Sequence, residues 1–323
     1  MTRPFPSVDA LLAGLVAGDR TLIGRAVTLV ESRHHDHRAR AAELLARLPR
    51  RPTDALRVGV TGAPGVGKST FIDALGVRLT AAGHHVAVLA VDPSSERSGG
   101  SILGDKTRMA RLAVDPRAFI RPSPSAGTLG GIAARTREAM LVLEAAGFDV
   151  ILIETVGVGQ SETAVRHLCD VFALLALAGA GDELQGIKRG IMELADVVIV
   201  TKADGDNVTP AARAAAQLRA ALRLTRHGEV PVLTVSAARE PATLDPAWHA
   251  IVAHHDALAA DGRLAALRSE QAVRWLWTII DERLRERVRH HPDCAAIEAA
   301  VRAGTLPIES AAARLVDQSH EAR

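Results

Sequence analysis

The chain has 323 residues, 48% of them hydrophobic, and a formal net charge of +2 at pH 7. That length holds one large α/β domain with appendages, or two modest domains, with enough apolar residues for a sizeable core. Aromatic residues are 2% with no Tyr, and Lys and Arg are interspersed with acids, which excludes a base-stacking nucleic-acid surface and gives no basic patch for DNA or RNA.

No sustained apolar core follows Arg3 and Pro4, so no secretory signal is read at the start. The longest apolar stretch, "VFALLALAGAG" at 171–181, is about half a membrane span. Cys169 and Cys294 lie far apart with no CxxC spacing, as in reduced, buried thiols. A soluble, cytoplasmic protein with no membrane or nucleic-acid partner is expected.

Residues 6–48 read as helical, with Leu11, Leu12, Leu15, Leu22, Ile23, Ala26, Val27 and Val30 at helical spacing. "LPRRPTD" follows as a linker. Short apolar strands then alternate with helical segments: 56–61, 86–92, about 118–122, 150–155, 171–177, 197–202 and 230–236. Such continuous β-branched runs suit strands buried on both faces. The fold class is therefore α/β, a mainly parallel sheet flanked by helices, with helical N- and C-terminal extensions. Beyond about residue 262 the strands stop, and Val273, Leu276, Trp277, Ile280, Leu284 and Val288 form a helical stripe. That stripe suits either a helix packed on the core or a dimerisation arm. The expected division is 1–54, a helical segment; 55–261, the nucleotide domain; and 262–323, a helical arm.

"GAPGVGKST" fits the phosphate loop G-x-x-x-x-G-K-[ST]. Gly62, Ala63, Pro64, Gly65, Val66 and Gly67 would curl the backbone so that N–H groups face phosphate oxygens. Lys68 supplies a charge to the β and γ phosphates, and Ser69, followed by Thr70, offers a hydroxyl to Mg²⁺. The loop falls between an expected strand and an expected helix, whose N-terminal dipole adds to the site. Carboxylates for the metal come from strand ends: Asp92 closes "VAVLAVD", Glu154 closes "VILIET", and Asp105 lies in "GGSILGDKTRM". Acids at strand ends also cap helices, which is the competing explanation for each. "ETVG" resembles a D-x-x-G γ-phosphate sensor, with Gly157 as the sensing residue.

The strand "VVIVTKADG" delivers Thr201, Lys202 and Asp204 to its carboxyl end. A carboxylate there accepts from both N1–H and the 2-amino group of guanine, which adenine does not offer in that geometry. Lys202 can cover the base with its stem. Thr201 stands where Asn is usual; it keeps a hydroxyl and loses the second arm of the amide, so guanine choice survives with somewhat weaker affinity. The following strand ends in Ser236-Ala237, resembling the backbone contact to guanine O6.

Four long segments, 91–109, 120–133, "ETVGVGQSE" at 154–162 and "GAGDELQGIKRG" at 179–190, resemble the methylmalonyl-CoA mutase-associated GTPases. The likeness runs from about residue 15 to 290. These proteins were once labelled as transport ATPases for lysine, arginine and ornithine, and fall in the class of dimerising P-loop GTPases that includes nickel-insertion proteins. The resemblance implies a Mg²⁺-dependent GTPase, turning GTP into GDP and phosphate slowly without its partner. It also implies a homodimer that binds an adenosylcobalamin-dependent acyl-CoA mutase and gates cofactor loading, release and protection. On it, Lys68, Ser69, Asp92, Asp105 and Glu154 build the phosphate and magnesium site, and Asp182, Gln185 and Lys188 belong to a loop that signals to the mutase. Thr201 departs from the family's Asn, and 236–247 lacks its Gly-rich turn.

The histidines His34, His35 and His37, with His84-His85 and His254-His255, keep open a nickel- or cobalt-type metallochaperone GTPase. The three His span barely one helical turn amid charges, which also describes a solvated face. A transporter energy subunit lacks an "LSGGQ"-like signature here. A non-enzymatic nucleotide-gated scaffold shades into the mutase chaperone.

Overall fold

A computed structural model describes residues 5–32, 34–49, 55–92, 108–124, 129–155, 161–178, 189–225 and 229–321. Packing divides the chain into two units, Met1–Ser269 and Glu270–Arg323.

The first unit opens with α1 (Val8–Ala17), α2 (Arg20–Glu31) and α3 (His35–Ala46). The continuous helical stretch read from sequence is thus three helices. Gly18 takes a left-handed conformation (φ 71°) that ends α1, and the Asp19 carboxylate caps α2 by accepting from the amides of Thr21 and Leu22. Most of the expected linker lies outside the described residues.

Seven strands follow: β1 (Leu56–Gly62), β2 (Val86–Asp92), β3 (Ala118–Pro124), β4 (Val150–Thr155), β5 (Val171–Leu177), β6 (Val197–Thr201) and β7 (Val232–Thr234). Their order is β3-β2-β4-β1-β5-β6-β7 and every pairing is parallel, as the apolar runs imply. β7 is shorter than the expected 230–236. Pro231 has no N–H to give the ladder, and the chain turns back after Thr234 so that Ser236 bridges Glu240.

Side chains alternate between two cores. Ala87, Leu89 and Val91 of β2 face α6 (Leu129–Ala145) and the N-terminal helices; Val86 and Val88 face α4 (Lys68–Ala81) and α10 (Leu244–Ala260). Between these, in chain order, lie α5 (Ala110–Ala113), α7 (Ser161–Arg166), α8 (Arg189–Met192) and α9 (Val208–Thr225). α9 covers β5 to β7 with Ala211, Ala215, Leu218 and Leu222. The N-terminal helices share one core with the sheet. They are also tied to it by ions, since Arg121 of β3 donates to Glu31 (2.9 Å).

The amino edge of the sheet is pinned by buried carboxylates. Asp170 accepts from the Arg57 amide (2.9 Å) and from Arg268 (2.9 and 2.8 Å), and Asp196 accepts from the Phe172 amide (2.9 Å). Arg57 in turn donates to Glu144 (2.6 and 3.0 Å). Burial, with Arg57 close by, lowers the Arg137 guanidinium to about 10. This edge is a fixed base, which leaves the carboxyl edge free to carry a site.

α11 (Arg263–Arg289) begins in the first unit and continues into the second, where α12 (Cys294–Arg302) and α13 (Ile308–Glu321) follow. Of the stripe read from sequence, Val273, Leu276, Trp277 and Leu284 are exposed. Among the described residues no helix is long and apolar enough to cross a membrane.

Candidate nucleotide site

β1 is the central strand, and the chain leaves it at Gly62 into a tight loop that ends as α4 begins. Gly62 has φ 146°, and a Cβ there would run into the Leu175 carbonyl oxygen of β5. Gly67, with φ 100°, precedes α4, and no side chain caps that helix. A helix start without a capping side chain keeps its amides available to an anion. Pro64, Gly65 and Thr70 are exposed around the loop.

Lys68 is 7% exposed and folds back over its own loop, donating to the carbonyls of Gly62 (2.7 Å) and Ala63 (3.1 Å). Burial pushes its pKa below the usual lysine value, against the favourable charges of Glu154 and Glu162. An arriving phosphate offers this ammonium stronger acceptors than two carbonyls.

β1 and β4 are in register with Val60 opposite Glu154. The Ser69 hydroxyl donates to Glu154 at 2.8 Å, and one residue on, Thr155 donates to Thr61 at 3.0 Å. Asp92 closes β2 at the same edge, one residue beyond Val91, which is level with Thr155. Its side chain, like Asp105, Gly157, Gln160, Asp182, Gln185 and Lys188, lies outside the described residues. The described part is a hydroxyl and a carboxylate, hard oxygen donors of the kind Mg²⁺ takes together with phosphate and water oxygens.

The base-side loop is built on β6. Thr201 is buried, and its hydroxyl donates to the Val66 carbonyl of the phosphate loop (2.6 Å), with the Ala176 carbonyl at 3.2 Å. The link between base loop and phosphate loop that Asn would supply is therefore made by threonine. The Ala203 amide donates to the carbonyl of Val235, one residue past β7 (3.1 Å). Asp204 accepts from the Ser236 hydroxyl (2.6 Å) and faces Arg239 Nε at 3.4 Å. The Ser236 amide donates to Thr243 (2.9 Å), so this residue holds both the loop and the carboxylate. Ala237 is buried beside it.

The structure thus brings together Gly62 to Ser69, Glu154, Thr201, Asp204 and Ser236 from the ends of four strands. Sequence reasoning passed over Arg239, Thr243, the Thr61–Thr155 pair, and Asn207, which donates to the Lys202 carbonyl (2.6 Å). Only Asn207 had a signal: an Asx residue three positions after a turn acid.

The histidine stretch is absorbed locally. His37 shares a hydrogen bond with Ser32 (2.7 Å) and its ring meets Phe5 edge-on, while His34 caps α3. Among the described residues no group of three or more His, Cys, Asp or Glu side chains is placed to hold a metal ion.

A parallel sheet with this loop after its central strand defines a P-loop nucleoside triphosphatase. Residues 23–293 match the family model described as Methylmalonyl Co-A mutase-associated GTPase MeaB. A probable GTPase from Mycobacterium tuberculosis is 52% identical, over 96% of this chain and 95% of its own. The mouse methylmalonic aciduria type A homolog, mitochondrial, is 47% identical over 88% of this chain and 72% of its own. A crystal structure titled LAO/AO transport system kinase superposes with a TM-score of 0.74 at 38% identity, covering 99% of this chain and all of that one. The chain belongs to the methylmalonyl-CoA mutase-associated GTPase family, and it hydrolyses GTP.

Proposed function

We propose that this GTPase is a nucleotide-operated gate on an adenosylcobalamin-dependent acyl-CoA mutase, methylmalonyl-CoA mutase or a close relative, controlling cofactor loading, release and protection in the cytoplasm. The observation that carries the reading is the family match over residues 23–293, whose description names the mutase.

The roles follow from chemistry at the carboxyl edge. The backbone N–H groups between Gly62 and Thr70, other than Pro64 which has none, cradle the phosphates, and Lys68 moves from the Gly62 and Ala63 carbonyls onto β and γ oxygens. Ser69, Asp92, Asp105 and Glu154 would hold Mg²⁺ directly or through water, which would supply positive charge against the phosphate oxygens. Gly157 senses the γ-phosphate. Asp204, aimed by Ser236, reads N1–H and the 2-amino group of guanine. Lys202 covers the ring, and the Ser236-Ala237 corner meets O6. Thr201 braces this pocket against the phosphate loop. Asp182, Gln185 and Lys188 carry the signal to the mutase, and the exposed α11 stripe pairs two copies.

The test is GTP turnover, with ATP as control, by the full chain alone and with each purified cobalamin-dependent acyl-CoA mutase. Stimulation of GTP turnover by one mutase is expected and names the partner. Turnover unmoved by every mutase, but altered by nickel or cobalt, contradicts the proposal in favour of metal delivery.

A further inference from the structure

Lys202 is the single non-glycine residue with positive φ (55°) among the described residues. A side chain in the left-handed region is strained, and such strain persists only where the surroundings over-determine it. Here they do so on two sides. From the residue just past β7, the Val235 carbonyl takes the Ala203 amide (3.1 Å), and the Val235 amide is itself spent on Val200 of β6 (2.8 Å). From the opposite end, Asn207 takes hold of the turn twice: its side-chain amide donates to the Lys202 carbonyl at 2.6 Å, and its backbone amide donates to the Asp204 carbonyl at 2.9 Å.

The turn so held carries the lysine placed over the base and the carboxylate placed on its Watson–Crick edge. The Asp204 side chain has its own partner in Ser236. What Asn207 fixes is the backbone from which both side chains leave, in a conformation that lysine does not favour alone. We propose that Asn207 is a positioning residue for guanine recognition: by clamping Lys202 in the left-handed conformation it sets the aim of Asp204 at the 2-amino group. The inference rests on the reading of Asp204 as the guanine contact, and deepens it.

Asn207 sits part-buried at the end of a 3-10 turn (Gly205–Asn207) leading into α9, outside the phosphate loop and the metal ligands. Its loss should therefore leave phosphate affinity in place and blunt base choice. Inosine nucleotides are the probe, since they lack only the 2-amino group. Dissociation constants for GDP and IDP are measured on the native chain and on Asn207→Ala, with the melting temperature of each as a check on folding. The native chain should prefer GDP over IDP. In Asn207→Ala the GDP affinity falls about tenfold, IDP, which keeps N1–H and has no 2-amino group, loses less, and the preference for GDP shrinks. Asn207→Asp, which keeps the shape and lacks the donor, serves as the second variant and should reproduce the loss even if the alanine form does not fold. Asn207→Ser, whose hydroxyl donates, should recover part of it. A native preference that survives unchanged in both the alanine and aspartate forms overturns the positioning role. A native chain that binds GDP and IDP equally overturns the assignment of Asp204 instead, so the two failures are distinguishable.

Discussion

Lys68 illustrates how a functional residue opposes the fold that houses it. Its ammonium is buried, and its pKa is lowered chiefly by desolvation. A base whose folded pKa is depressed favours folding above its unfolded value and opposes it as pH falls through the folded one, so at neutral pH the charge is a burden. Lys68→Ala should therefore leave the melting temperature of the nucleotide-free protein unchanged or slightly raised. It should abolish both GTP turnover and the stabilisation that GTP confers in a thermal melt. Unchanged turnover would remove the phosphate-site assignment. Thr201 is the opposite case, a residue whose one proton joins two loops. Thr201→Val keeps the shape and leaves the Val66 carbonyl without its donor; nucleotide affinity should fall roughly tenfold, from about 1 to 2 kcal/mol of lost hydrogen bonding. An affinity unaltered by that change, measured by calorimetry, would mean the brace is idle. Cys169 makes a third case, in the scaffold. It is buried, and burial pushes its thiol up to about 12 from 9.0. Between those values the unfolded chain has lost a proton the folded thiol keeps, so stability falls as pH rises across the window, by up to about 1.4 kcal/mol per pH unit from this group. Cys169→Ala should flatten that part of the alkaline stability profile in denaturant titrations, and the part-exposed Cys294 should be the thiol that reacts with a labelling reagent in the native state.

At the scale of elements, β1, β4, β5 and β6 were readable because each is a short run of buried, mainly apolar residues, and burial on both faces is what a parallel sheet under helices demands. The phosphate loop was readable because its glycines follow from geometry. Gly62 lies against the Leu175 carbonyl, and no side chain fits. Glu154 and Thr201 were readable as strand ends, which topology brings to one edge. Asn207 and Arg239 were not, because their partners sit on a turn whose left-handed Lys202 is imposed by tertiary contacts rather than by local preference, and Thr243 was not, because it meets the Ser236 amide only where the chain folds back after β7. The split of the N-terminal stretch into three helices was also missed, although Gly18-Asp19 spells a helix end followed by a helix start. The amino edge has its own prediction. Asp170, fully buried, accepts from the Arg57 amide and from Arg268. Asp170→Ala strands those donors and should destabilise the chain by about 3 to 5 kcal/mol in chemical denaturation. A loss below about 1 kcal/mol would show that the edge is held by the strands alone.

For the whole molecule, the work divides between one sheet edge and the surfaces beyond it. On the proposal that α11 pairs two copies, the native chain sediments as a dimer, and Trp277→Arg, at an exposed position of the stripe, sediments as a monomer that still binds GDP. A dimer that persists in that variant places the interface elsewhere. On this reading four strand ends, joined by the Ser69–Glu154, Thr201–Val66 and Ser236–Asp204 hydrogen bonds, form a site that chooses guanine. The most direct measurement is the affinity for GDP and for xanthosine diphosphate on the native chain and on Asp204→Asn. An amide in place of the carboxylate presents a donor where xanthine has a carbonyl and guanine an amine. The native chain should prefer GDP and the variant should reverse the order; a native chain that holds both equally, or a variant that still prefers GDP, would remove Asp204 as the guanine reader.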